Sequence, residues 1–143
     1  MSSTASPAAP AAVQGWSVDT FRRFWAKPDL AALRGIERLC TEDIVGHWPR
    51  PIGLVRGLKP YTQVIEDLLL TVPDFSLSVP DHAVAGDLAF VRWIATGTAP
   101  DGRRFEADGC DRVRLRGRLV CENYVFSDHP FFAWVAERSA KRR

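Results

Sequence analysis

Cysteine is scarce in this chain. There are three, Cys40, Cys110 and Cys121, an odd number with no CxxC pair. That excludes the disulfide framework of small secreted domains and points to reduced thiols in a cytoplasmic setting. The strand pattern brings Cys110 and Cys121 near each other, but no bridge is expected. No group of Cys and His has zinc spacing. Long apolar runs are also missing: nothing approaches the ~20 residues of a membrane span, so no membrane partner is expected. Nor does one sign of charge dominate. Nineteen basic residues face seventeen acidic ones, and the only dense run is the terminal "KRR". A balance of this kind argues against a nucleic-acid surface. The first 15 residues, "MSSTASPAAPAAVQG", lack the charge and the continuous apolar stretch of a signal peptide, and read as a disordered leader.

What is present suits one soluble domain. The chain has 143 residues, 46% hydrophobic and 25% charged, enough for a single core. The expected organisation is a leader over 1–15, a domain over 16–134 and a basic tail over 135–143. "SVDTFRRFWAKPDL" carries Ser17 or Asp19 as N-cap and an apolar repeat at helical spacing. "KPD" ends it. Asp29 can cap a second helix with Leu30, Leu33, Ile36, Leu39 and Cys40 as its stripe. Residues 41–57 hold prolines and glycines and read as a loop with short strands near Ile44–Val45 and Leu54–Arg56. A third helix follows, with Tyr61, Val64, Ile65, Leu68 and Leu69 on one side and Pro73 as its stop.

From Phe75 onward the pattern alternates with period two, broken by turn signals at Gly86–Asp87, "PDG" (100–102) and "RG" (116–117). Helices first and an antiparallel meander after them make an α+β fold. A two-residue hairpin at Arg116–Gly117 predicts that Asp111 faces Glu122 across the sheet. A four-residue loop at Ala99–Gly102 predicts that Phe90 faces Asp111, with Arg92 as a diagonal neighbour. Since side chains alternate with period two, a slip of one residue in either register would invert the face. On these registers Arg92, Asp111 and Glu122 share a face with Phe90, Ile94 and Tyr124. Apolar walls with a few convergent polar groups are the composition of a small-molecule pocket.

The order of elements, together with "KPDLAALRGIERLCTEDIVGHWP", "RGLKPYTQVIEDLL", "FVRWIATGTAPDGRRFEADGCDRVRLRGRLVCEN" and "VFSD", resembles the nuclear transport factor 2-like superfamily, within it the SnoaL-like group. The resemblance covers roughly residues 16–132. It implies a cone-shaped α+β barrel with three N-terminal helices packed in a curved antiparallel sheet around a deep pocket. It specifies the fold far more than the reaction, since this fold hosts many chemistries. Compared with ketosteroid isomerases, "DRVRL" places Asp111 at the protonated-carboxyl position, while Trp48 stands where the base belongs and Phe21 where a Tyr donor belongs. Compared with limonene epoxide hydrolases, Arg92 is kept, while Ile94 and Tyr124 replace both carboxylates. SnoaL-type polyketide cyclases, which rely on one Asp acid/base and need no metal or cofactor, depart least from this chain.

The resemblance therefore implies cofactor-independent acid/base catalysis of cyclase, isomerase or dehydratase type on a hydrophobic carbonyl compound. The same pocket would also serve a non-catalytic ligand-binding or dimerisation module. The catalytic candidates are Asp111, His47 and Arg92; Phe21, Trp25, Trp48, Tyr61, Phe90, Ile94, Glu122 and Tyr124 are the candidate substrate contacts. Asp111 moves a proton or pairs with Arg92. Glu122 shares a proton with Asp111 or bonds a strand end. His47 replaces the missing loop base or is an exposed loop residue, and His82 and His129 are read as surface residues. Trp93, Val91 and Cys110 are expected on the opposite, convex face, where a homodimer would form.

Overall fold

The computed structural model describes residues 15–142, so the leader, apart from Gly15, lies outside the described residues. The elements run α1 (Val18–Ala26), α2 (Leu33–Glu37), β1 (Cys40–His47), β2 (Leu54–Arg56), α3 (Leu58–Thr71), β3 (Ser76–Ala85), β4 (Leu88–Thr98), β5 (Arg104–Arg116), β6 (Leu119–Phe126) and α4 (Phe131–Arg142). The strands form one curved, unclosed sheet in the order β2-β1-β6-β5-β4-β3. Every pairing is antiparallel except β1 with β6. The α+β class and the cone architecture are those expected. No helix among the described residues is long and apolar enough to cross a membrane.

Local chemistry explains the element ends. Ser17 caps α1: its hydroxyl accepts from Thr20 N–H at 3.1 Å, and Thr20 Oγ1 accepts from Ser17 N–H at 2.9 Å, a reciprocal capping box. Asp29 caps the turn before α2, accepting from Ala32 N–H at 2.7 Å. That helix is only five residues long, and Cys40 belongs to β1 rather than to its stripe. In α3, Pro60 occupies the first turn, where a missing N–H is tolerated. The α3 stripe of Tyr61, Val64, Ile65, Leu68 and Leu69 is buried, facing the sheet's inner side in the main core.

The C-terminal residues are not a solvated tail. Phe131–Arg142 is a helix whose Phe131, Phe132 and Val135 are buried, and it packs across α3. His129 initiates it, its Nδ1 accepting from Phe131 N–H at 3.1 Å while its ring stacks on Phe105, so it is no free surface residue. Asp67, 1% exposed, locks α4 to α3. It accepts from Ser139 Oγ at 2.6 Å and from both terminal nitrogens of Arg142, Nη1 at 2.8 Å. Burial alone would raise the Asp67 carboxyl, but the hydrogen bonds from Arg142 and Ser139 outweigh it and hold it below its ordinary value. Removing one partner of a buried pair leaves an uncompensated charge. Arg142→Ala is therefore expected to lower the unfolding midpoint in urea titrations at neutral pH. An unchanged midpoint would show that Asp67 is satisfied by Ser139 alone.

Two departures from the expected registers decide which side chains meet. The loop between β4 and β5 has five residues, because Thr98 pairs with Arg104. Val91, not Phe90, therefore lies opposite Asp111. Between β5 and β6 the turn residues are Gly117 and Arg118, and the ladder shifts from Leu115↔Val120 to Arg114↔Glu122. Cys121 is the extra residue of a β-bulge. Past it Asp111 pairs with Val125 and Glu122 with Arg114. Inward on β6 are thus Val120, Asn123 and Val125, all buried.

Candidate functional site

The cavity inside the cone is bounded by helices on one side and the inner sheet face on the other. Phe21 and Trp25 come from α1, Tyr61 from α3, Trp93 from β4 and Phe131 from α4, with Trp48 just past β1. It holds about 60 Å³ of space open to the centre of a water molecule, enough for several waters. Its aromatic walls pack on one another: Trp25 meets Phe75 edge-on at 5.8 Å, and Trp48 lies 5.4 Å from Tyr61.

Among the described residues, Asp111 is the only carboxylate lining this cavity. It faces inward from β5 because it alternates with Val113 and Ala107, and it is 7% exposed. Its Oδ1 accepts from Trp93 Nε1–H at 2.9 Å and its Oδ2 accepts from Asn123 Nδ2–H at 3.1 Å. Asn123 Nδ2 also donates to the Tyr61 hydroxyl at 2.9 Å. The carboxyl is pushed up to about 6 by burial, against which the bonds from Trp93 and Asn123 act. Desolvation penalises the charged form, while donors to the carboxylate favour it. Burial likewise pushes the Cys40 thiol up to about 12, helped by nearby Glu37, and raises the Tyr61 hydroxyl as well. Tyr61 and Cys40 therefore stay protonated near neutrality.

Of the residues expected at the site, Asp111, Phe21, Trp25, Trp48 and Tyr61 line the cavity. The others do not. Arg92 is on the outer sheet face, with Asp81 as its ionic partner at 3.5 Å. Phe90, 41% exposed, and Ile94 share that outer face because β4 alternates about a frame one residue away from the expected one. The bulge turns Glu122 and Tyr124 outward too. His47, opposite Tyr124 on the parallel β1–β6 ladder, stacks on that ring at 3.9 Å and meets Glu122 Oε2 through Nε2 at 2.9 Å. Arg112 completes the cluster, bonding Glu122 Oε1 at 3.0 Å and lying 5.0 Å from the Tyr124 ring centre. His47 therefore has its carboxylate partner outside the cone and does not face Asp111.

The same shift reverses the fate of Trp93 and Val91. Both are buried on the inner face, 2% and 0% exposed, and cannot form an outer pairing surface; Cys110 does lie outward. Sequence reasoning missed Trp93 and Asn123, the two residues that bond Asp111. The signal for Trp93 was present, since its face of β4 reads Ala89, Val91, Trp93, Ala95, Gly97, while the other carries Arg92. Asn123 was hidden by the bulge.

The fold and this site can be set beside known proteins. No curated protein matches the chain. Several solved structures do. IdmH of Streptomyces antibioticus, a candidate polyketide cyclase, superimposes with a TM-score of 0.66 at 24% identity, over 84% of this chain and 95% of that one. A candidate SnoaL-like polyketide cyclase of Jannaschia sp. CCS1 gives 0.69 at 18%, over 78% and 84%. An NTF2-like protein of unknown function from Exiguobacterium sp. 255-15 gives 0.66 at 19%, over 78% and 97%. At these identities the likeness carries the fold alone. The sequence itself goes further: the family model described as the SnoaL-like domain matches residues 18–123, a span that runs from α1 through Asp111 to Asn123. The chain belongs to the SnoaL-like domain family.

Proposed function

We propose that the protein is a cofactor-independent acid/base catalyst of cyclase, isomerase or dehydratase type, acting on a hydrophobic carbonyl compound. One observation carries the reading: the sole carboxylate that the described residues place on an apolar cavity is buried, held by two donors, and raised to about 6. A base with its pKa near the working pH combines a useful ionised fraction with real proton affinity. Ionised Asp111 takes a proton from a carbon next to the substrate carbonyl. The C–H electron pair moves into the new C=C bond and the charge onto oxygen. Asp111, now neutral, returns the proton to carbon or to oxygen, and no net oxidation occurs. The polyketide cyclase descriptions of the structural neighbours are consistent with this class of chemistry.

The test is deuterium exchange at the α-carbon of apolar cyclic ketones such as indanone in heavy water, followed by proton NMR. The wild type is expected to accelerate exchange, and Asp111→Asn to lower that acceleration at least ~100-fold, the usual scale of a lost general base. Acceleration that survives Asp111→Asn overturns the assignment. Ketone binding without any exchange would instead make the cavity a ligand-binding module.

A further inference from the structure

Among the described residues, three buried side-chain polar atoms have no hydrogen-bond partner: Trp48 Nε1, Asn123 Oδ1 and Arg112 Nε. Arg112 belongs to the outer sheet face. The other two belong to residues that line the cavity, and these residues are 9% and 5% exposed. Unpaired buried polar atoms are rare in folded proteins and carry a free-energy penalty. Two on side chains of one small cavity ask for an occupant that, as those side chains turn toward it, pairs with both.

Their chemistry is opposite. An indole nitrogen can only donate, and an amide oxygen can only accept. Asn123 cannot relieve itself, because its amide protons go to Tyr61 and Asp111. Trp48 is held in place by the backbone beneath it: a Cβ at Gly46 would stand 2.7 Å from Trp48 Nε1 and 2.8 Å from Tyr61 Cδ1. Only a residue without a side chain there allows both rings to sit where they do.

We propose that this donor and acceptor read the polar end of the substrate, Trp48 Nε1–H holding a carbonyl oxygen and Asn123 Oδ1 accepting from a hydroxyl or enol O–H. The substrate class is then an apolar, ring-sized hydroxy- or enol-carbonyl compound. The inference rests on the reading of the cavity as the substrate site. It also gives Asn123 a double duty, because the amide that receives the substrate O–H donates through its nitrogen to Asp111 Oδ2. Substrate hydroxyl and catalytic carboxyl are thereby tied through one side chain.

Calorimetric titration of the full chain with indane, indanone and β-hydroxyindanone separates the terms, since the three share one skeleton. Each added polar group is expected to tighten binding roughly tenfold, the scale of one net hydrogen bond. Trp48→Phe should erase the step from indane to indanone and leave the hydroxyl step, while Asn123→Leu should do the reverse. If Asn123→Leu loses its near-UV circular dichroism, the Trp48 indole N–H resonance in the wild type supplies the second readout. It should move downfield with indanone and stay in place with indane. Equal affinities across the series, a carbonyl step that survives Trp48→Phe, or no binding at millimolar concentration would each overturn the proposal. Run on the Asp111→Asn background, which keeps Trp48 and Asn123, the titrations read affinity and not proton transfer, so their failure is distinct from a failure of Asp111 in the exchange assay.

Discussion

Asp111→Asn is expected to stabilise the protein at pH 8 by about 2–3 kcal/mol while removing the proton transfer proposed for that carboxyl. In the native state the carboxyl titrates at about 6, against 3.8 in the unfolded chain. Between those values the folded protein holds a proton that the unfolded chain has released, so stability falls as pH rises through the window. Above it the native state carries a buried charge, and each tenfold loss of acidity on folding corresponds to about 1.4 kcal/mol. An amide of the same shape escapes that penalty. Its oxygen can still accept from Trp93. Its nitrogen can donate to Asn123 once that amide turns over, and the Tyr61 hydroxyl then becomes a donor to the same oxygen. Urea titrations of both proteins from pH 3 to 8 check the sign: the curves should meet near pH 4 and separate up to pH 7. A wild type that gains on the variant with rising pH would show that Asp111 is an ordinary stabilising carboxylate. A site that opposes the stability of its own fold is common where chemistry needs a strained group.

The second large effect is expected at a position with no chemistry of its own. Gly109 pairs with Trp93 across β4 and β5. A Cβ added there would stand 2.5 Å from Trp93 Cη2 and 2.5 Å from the backbone oxygen of Phe126, closer than real Cβ atoms come. The indole can move only by leaving Asp111, and the Phe126 oxygen belongs to the sheet. Gly109→Ala should therefore lower stability by about 2–3 kcal/mol, in the upper range for overpacking, seen as a fall of several degrees in Tm. With Trp93 displaced, the Asp111 carboxyl loses a donor and should titrate higher still, as read by carbon NMR. Gly35→Ala is the control: nothing lies within 4 Å of a Cβ there, and a helical alanine is favoured over glycine. If both variants melt with the wild type, the close approach of Trp93 to β5 is not real.

Much of this fold was legible because its punctuation is chemical. Pro73, Gly86, "PDG" and Gly117 end elements for reasons of backbone geometry, and the period-two pattern marks the strands they separate. Asp111 was legible too, because it alternates with Val113 on a strand whose other side carries three arginines. Its partners were not. Whether a loop holds four residues or five, and whether a strand carries an extra residue, leaves no mark on hydrophobic periodicity. Yet each changes which of two neighbours faces inward, so Arg92, Phe90 and Ile94 exchanged places with Val91 and Trp93, and Glu122 with Asn123. α4 was a different omission. Val135, Ser139 and Arg142 recur at helical spacing, but a terminal basic run draws attention away from the apolar side of the same segment.

The bulge at Cys121 also sets the proton capacity of the interior. With Glu122 turned to the outer face, the described residues leave the cavity wall one group able to change charge between pH 4 and 8, since Tyr61 and Cys40 remain protonated throughout. The compartment therefore stores a single proton and alternates between neutral and singly negative. In the proposed reaction, a proton taken from the substrate must therefore go back to it, or out to water, before a second transfer can begin.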